Sequence, residues 1–200
     1  EVSEVAEDLI FRRLLNAMQS TLRTNFYIPK SNGDDFVSIK IDSSQIQQMP
    51  LPVPYREIYV YDAGVEGCHI RFGSVARGGL RWSNRPDDFR KEVLDLVKTQ
   101  QTKNVVIVPV GSKGGFIVKN QPTERQALQE ETQRQYKKFV SALLDITDNF
   151  DVSGQVKSPE HVVLYDKADP YLVVAADKGT ATFSDFANSV SEAYHFWLGD

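Results

Sequence analysis

Two glycine-rich, basic segments constrain this chain more than any other feature. Ala76-Arg77-Gly78-Gly79-Leu80-Arg81-Trp82 sets paired glycines beside two guanidinium groups, and Pro109-Val110-Gly111-Ser112-Lys113-Gly114-Gly115 sets a lysine among three glycines. The stretch between them has helical periodicity. Phe89, Val93, Leu96 and Val97 form one stripe, Pro86 suits the first turn of a helix capped near Asn84, and the pattern ends near Lys103. Val105-Val106-Ile107-Val108 then reads as a short apolar strand, buried on both faces, which runs into the second glycine segment as a turn. A buried strand opening into a basic glycine turn suits an α/β domain, where ligands sit beyond the carboxyl ends of strands.

The remaining elements agree with that class. Glu4 to Arg23 carries Val5, Leu9, Leu14, Leu15, Met18 and Leu22 at helical strides and predicts an amphipathic helix. Phe36 to Ile41 alternates with period two, and Ile58–Tyr61 and His69–Phe72 read as a hairpin around Asp62–Gly67. Thr123 and Gln126 form a T-x-x-Q capping box for a long helix through about Asp148, followed by a loop from Asp151 to Pro159. Leu172–Ala176 predicts another buried strand, and Ser184–Leu198, with Phe186, Val190, Tyr194 and Trp197, a final amphipathic helix. Strands alternating with helices predict an α/β fold with a mixed β-sheet flanked by helices. We expect one domain over residues 1–200, with an N-terminal helix and linker over 1–30 and the α/β core over 31–200. Both ends read as cut, since Leu198-Gly199-Asp200 directly follows an apolar periodic segment.

Charge narrows the ligand. Residues 71–119 hold ten Lys or Arg against Asp87, Asp88, Glu92 and Asp95, a local excess of +6 in a chain of net charge −4. The local excess predicts an anionic ligand, and the acidic total argues against nucleic acid. A solvated helix face explains charge alone, and a tight turn with an exposed basic residue explains either glycine segment alone. Two such turns flanking one helix favour a site. The single cysteine, Cys68, and the three histidines allow no standard zinc spacing, so no metal is expected. The apolar runs are too short to span a bilayer and the acidic start is unlike a signal peptide, so a soluble cytoplasmic protein without a membrane partner is expected.

Neither common nucleotide motif is present. Ser112 precedes Lys113 and Gly114 follows it, which breaks the G-x-x-x-x-G-K-[ST] pattern, and G-x-G-x-x-G does not occur. A lysine at the mouth of a buried strand near other cations can instead serve as a general base, because burial and like charge both disfavour an ammonium. Val174-Ala175-Ala176-Asp177-Lys178-Gly179-Thr180 places a carboxylate after a buried run. That is a turn or cap in isolation, and a second proton-transfer group beside Lys113.

In this order the motifs resemble the large bacterial NAD-specific glutamate dehydrogenases. The segments VARGGLRWSNRPDDFRKEVLDLVKTQQTKNVVIVPVGSKGGFIVK and DPYLVVAADKGTATFSDFAN are similar to that family's most distinctive stretches, and TLRTNFY extends the similarity upstream. The resemblance implies an amino-acid dehydrogenase-like substrate domain, with the NAD-binding Rossmann domain absent from this chain. Arg77 matches the position that holds the substrate side-chain carboxylate, where shorter relatives carry lysine. Gln100 and Lys103 match the pair that contacts the α-carboxylate, Lys113 the catalytic lysine and Asp177 the catalytic aspartate. The implied reaction is oxidative deamination of L-glutamate to 2-oxoglutarate and ammonia with NAD, bound mainly outside this chain. A homo-oligomer is implied for the full-length protein, and the 200-residue chain alone is expected to be inactive. A non-catalytic anion-binding module and an oligomerisation module remain alternatives. Convergence of Arg77, Lys103, Lys113 and Asp177 on one cleft would favour the enzyme.

Overall fold

The computed structural model describes residues 4–30, 35–103, 110–177 and 181–199, with the side chains of 101–103 and 181–182 outside the description. The predicted strand at Val105–Val108 falls outside these residues.

The chain opens with α1 (Val5–Gln19), shorter at its C-terminal end than its periodicity suggested, and passes directly into β1 (Thr21–Thr24). Leu22 and Arg23 therefore belong to a sheet strand and not to the helix. The switch at Ser20 occurs where its hydroxyl and backbone N–H both close on the Asn16 carbonyl. No α1 side chain is buried, and Asn16 ties the helix down by hydrogen bonds to Gln45 and Gln47.

Next come β2 (Val37–Ile41), a short 3-10 turn, β3 (Arg56–Tyr61) and β4 (Val65–Arg71). The hairpin between β3 and β4 is tighter than expected, because Asp62 accepts from the Gly64 N–H and closes the turn within a few residues. Two short strands, β5 (Ala76–Arg77) and β6 (Leu80–Trp82), lead to α2 (Phe89–Lys103), which ends where predicted but begins after a turn at 86–88 and not at Pro86. Then follow β7 (Val110–Val118), α3 (Arg125–Leu144), the small hairpin of β8 (Asn149–Phe150) with β9 (Val156–Lys157), β10 (Val163–Leu164) and α4 (Ala181–Ala193).

One eight-stranded sheet runs in the order β10-β1-β2-β3-β4-β7-β5, with β6 also paired to β7. The β4–β7 pair and those before it are antiparallel, while β5 and β6 lie parallel to β7, so the sheet is mixed and the fold is α/β. On one face α2 packs Phe89, Val93, Leu94 and Val97 against Cys68, Ile70 and Ile117. On the other, α3 and α4 build the main core, where Phe116, Tyr136, Phe139 and Phe183 stack their rings.

Further boundaries depart from the sequence reading, and α3 ends at Leu144 and not near Asp148. Glu124, and not Thr123, caps α3, because its carboxylate accepts the orphan N–H groups of both Gln126 and Ala127. Leu172–Ala175 is buried and Ala176 half-buried, but the run forms no ladder among the described residues. A single bridge joins Ala176 to Leu80, and Tyr136 Oη bonds the Val174 carbonyl. The final helix begins at Ala181 and ends at Ala193, where Tyr194 turns to Asp145 and Trp197 donates to the Pro170 carbonyl.

Candidate active site

The glycine-rich segment around Lys113 is not a turn. Gly111–Gly115 lies inside β7, hydrogen-bonded on both edges, and Gly114 and Gly115 are explained by what crowds them. A methyl group on Gly114 would come 2.3 Å from Leu80 Cδ2, and one on Gly115 2.4 Å from Val93 Cγ2. These residues let β6 and α2 close onto the strand.

Register then assembles the site. Arg77 pairs with Gly111 and Leu80 with Gly114, so β5 and β6 follow one another along the same edge of β7, and Gly78 and Gly79 fall opposite Ser112 and Lys113. Directly opposed residues share a face of the sheet. Gly79 thus leaves an open place beside Lys113, and the backbone of Asp177 occupies it. A methyl on Gly79 would sit 3.0 Å from both Cα and N of Asp177. Across that gap Lys113 Nζ meets Asp177 Oδ1 at 2.6 Å. The lysine side chain is 2% exposed and the aspartate 26%, so solvent reaches the pair from the carboxylate side. The Asp177 N–H donates to the Leu80 carbonyl at 3.0 Å and the Leu80 N–H to the Ala175 carbonyl at 2.8 Å, which fixes the carboxylate's backbone.

Arg77 is exposed on β5 and, opposite Gly111, shares the face of Lys113, which is two residues further along β7. α2 covers this face. Val93 lies over Gly115, and the chain re-enters β7 at Val110 soon after α2 ends at Lys103, so helix and strand run antiparallel. From Val93 to Val97 the helix rises about 6 Å, and from Gly115 back to Lys113 the strand covers about 6.6 Å. By this count Val97 lies near Lys113, and α2 continues from there to half-buried Gln100 and the backbone of Lys103. The structure brings Lys113 and Asp177 into contact and puts Arg77 on the same face of the sheet, opposite Gly111. The side chain of Lys103 lies outside the described residues.

A second polar centre had no motif in the sequence. Arg23, Lys40 and Arg71, with side chains 1%, 3% and 5% exposed, meet Asp148, Asp166 and Asp169. Burial, with nearby Arg23, pulls the Lys40 ammonium down to about 7, and burial brings Arg71 to about 10. Period-two alternation held one available signal. In Phe36–Ile41 it puts Lys40 on the face of Phe36 and Ser38, which is the fully buried one.

Fold and site define a mixed-sheet α/β domain that sets a buried lysine against a part-exposed carboxylate beside a basic edge. Residues 1–200 match the family model described as the catalytic domain of bacterial NAD-glutamate dehydrogenase, and the chain belongs to that family. It is 55% identical to the NAD-specific glutamate dehydrogenase of Pseudomonas aeruginosa and 53% identical to that of Halomonas elongata, in both cases over the whole chain. The enzyme of the same name from Mycobacterium tuberculosis is 52% identical over 96% of the chain. The chain spans only 12–13% of the length of these relatives.

The glycines of β7 do not form a pyrophosphate site. A pyrophosphate is held by backbone N–H groups at a glycine turn that opens a helix. The glycines of β7 lie in a strand and are covered by Leu80 and Val93. Among the described residues no helix is long and apolar enough to cross a membrane, and no His, Cys, Asp and Glu group is arranged to hold a metal.

Proposed function

We propose that this chain is the substrate-binding part of an NAD-dependent glutamate dehydrogenase, acting in the oxidative deamination of L-glutamate to 2-oxoglutarate and ammonia. The observation that carries the reading is the 2.6 Å contact between Lys113 and Asp177 on the face shared with Arg77. NAD supplies the hydride acceptor and is held by polypeptide outside these 200 residues.

The chain's own residues bind substrate and move protons. Arg77 grips the side-chain carboxylate, and Lys103 with Gln100 the α-carboxylate, which fixes the α-carbon above the pair. Asp177, open to solvent on one side, takes a proton from the α-ammonium. After oxidation, Lys113 removes a proton from the water that attacks the iminium carbon and returns one as ammonia leaves. The proton that Asp177 took then leaves to solvent on its exposed side, which returns the pair to its starting state. A plain anion-binding module leaves Asp177 unexplained, since a carboxylate repels an anion and occupies the lysine.

Steady-state kinetics of the full-length protein test this with glutamate varied at saturating NAD. Lys113→Ala should abolish turnover with little change in KM. Arg77→Ala should raise KM roughly tenfold to a hundredfold, the worth of a hydrogen bond to a charged group. Equal KM increases at unchanged kcat in both variants would make Lys113 a second carboxylate clamp and refute its assigned role.

A further inference from the structure

The buried ionic cluster grips one short segment. Arg23 binds Asp166 through Nε at 2.5 Å and the Lys167 carbonyl at 2.8 Å. Lys40 Nζ meets Asp166 at 2.5 Å and Asp169 at 2.6 Å. Arg71 forks onto Asp169 with both terminal nitrogens and also donates to the Tyr171 carbonyl at 3.1 Å. The Asp169 N–H in turn donates to Asp148 at 2.5 Å. Cations from β1, β2 and β4 thus converge on Asp166–Tyr171, immediately before the buried run that ends at Asp177.

Among the described residues that run is tied to the sheet at one point, next to Asp177. Leu172–Ala176 carries no ladder among them; the Ala176–Leu80 bridge, with the Leu80 N–H on the Ala175 carbonyl and the Asp177 N–H on the Leu80 carbonyl, sets its register at one end, and a slip of one residue would move Asp177 by about 3.3 Å and turn it to the other face. Its far end therefore needs an anchor tied to the strand that carries Lys113. Arg71 is so tied, because in the β4–β7 ladder it pairs with Ser112 while its neighbour Ile70 pairs with Lys113. A closed circuit results: Lys113, the β4–β7 ladder, Arg71, Asp169, the Leu172–Ala176 run, Asp177, and back to Lys113 through their 2.6 Å contact.

From this circuit we infer that Arg71 and Asp169 are positioning residues, which hold the register of the run so that Asp177 meets Lys113. The inference rests on the roles proposed above for that pair. Lys40 and Arg23 support it by holding Asp166 and sharing the charge of the segment.

The test uses the full-length protein and compares Asp169→Asn and Arg71→Lys with the parent. Asp169→Asn should lower kcat by at least about tenfold, with the glutamate KM within about threefold of the parent, the signature of a misplaced proton-transfer group. The amide of Asp177, which donates to Leu80, should exchange with deuterium at least about tenfold faster while the amides of α3 keep their rates. Arg71→Lys keeps one charge on Asp169 but loses the fork, and should fall between parent and Asp169→Asn in both readouts. If Asp169→Asn does not fold, the double variant Arg71→Gln with Asp169→Asn, which leaves no lone charge of that pair, carries the same expectations. Unchanged exchange at Asp177, faster exchange at unchanged kcat, or a rise in KM alone would overturn the inference. A parent protein that fails to reduce NAD with glutamate would overturn the proposed function instead, and the exchange rates would then decide the positioning claim.

Discussion

Replacing Gly79 by alanine tests the site through its backbone, without touching any ionisable group. The new methyl would lie 3.0 Å from Asp177 Cα and N and 3.1 Å from the Ala176 carbonyl carbon, all backbone atoms that cannot swing aside. Ordinary contact needs about 0.5 Å more, so the Ala176–Asp177 backbone must retreat by that amount. Such overpacking costs about 1–2 kcal/mol, and the reduced freedom of the unfolded chain returns about 0.4–1 kcal/mol. The net loss of stability should be about 1 kcal/mol or less. Activity should suffer more, since a displacement of about 1 Å at reacting groups costs on the order of a hundredfold, and half of that about tenfold. Gly78→Ala is the contrast, because its methyl would fall 1.6 Å from the Ser112 carbonyl oxygen and force β5 and β6 off β7, at about 3 kcal/mol or more. Thermal unfolding of this chain should therefore show a Tm loss of about 4 °C or less for Gly79→Ala and about 6 °C or more for Gly78→Ala. Full-length Gly79→Ala should keep its fold and lose about nine-tenths of kcat. Parent-like kcat in Gly79→Ala would refute the claim that contact with Lys113 depends on where this backbone sits.

Three further outcomes follow from the buried polar groups. Lys40 titrates near 7 when folded against 10.5 ordinarily, so between those values the unfolded chain holds a proton that the folded chain has released. Its contribution to stability grows as pH rises through that window; urea midpoints should climb less steeply in Lys40→Met, and parallel profiles would count against it. Burial, with Arg71 nearby, pushes the His69 imidazole down to about 3 from 6.5, so its contribution to stability is lost as pH falls from 6.5 towards 3. The His69 ring signals in NMR should stay flat from pH 8 to 5, and a midpoint within that range would refute its burial as a neutral base. Arg23→Met strips a partner from Asp148, whose side chain is fully buried, and should cost about 3–5 kcal/mol in urea unfolding, whereas a loss under about 1 kcal/mol would show that the pair is dispensable.

What sequence could show of this fold was local. Periodicity found α2 to within its end at Lys103 and located the hairpin and β2, because those elements carry their own signal in consecutive residues. It extended α1 through Arg23 because Leu22 continues the apolar stride, whereas Thr21–Thr24 is held by pairing with β2 and β10, partners remote in sequence. The ionic cluster was invisible for the same reason: its cations come from separate strands and its carboxylates from beyond α3, so no spacing relates them. Lys113 and Asp177 could be singled out by their neighbours, but their contact depends on the parallel register of β5 and β6 against β7. Gly111–Gly115 carries the general lesson. Several glycines in a row suggest a turn, on the ground that glycine frees the backbone. Here the demand is for absent side chains, since Leu80 must fit over Gly114 and Val93 over Gly115. Backbone freedom can be weighed from a residue and its neighbours, but the space a distant chain requires cannot. A glycine run beside a functional lysine is therefore compatible with a rigid strand, and this strand holds Lys113 by hydrogen bonds on both edges.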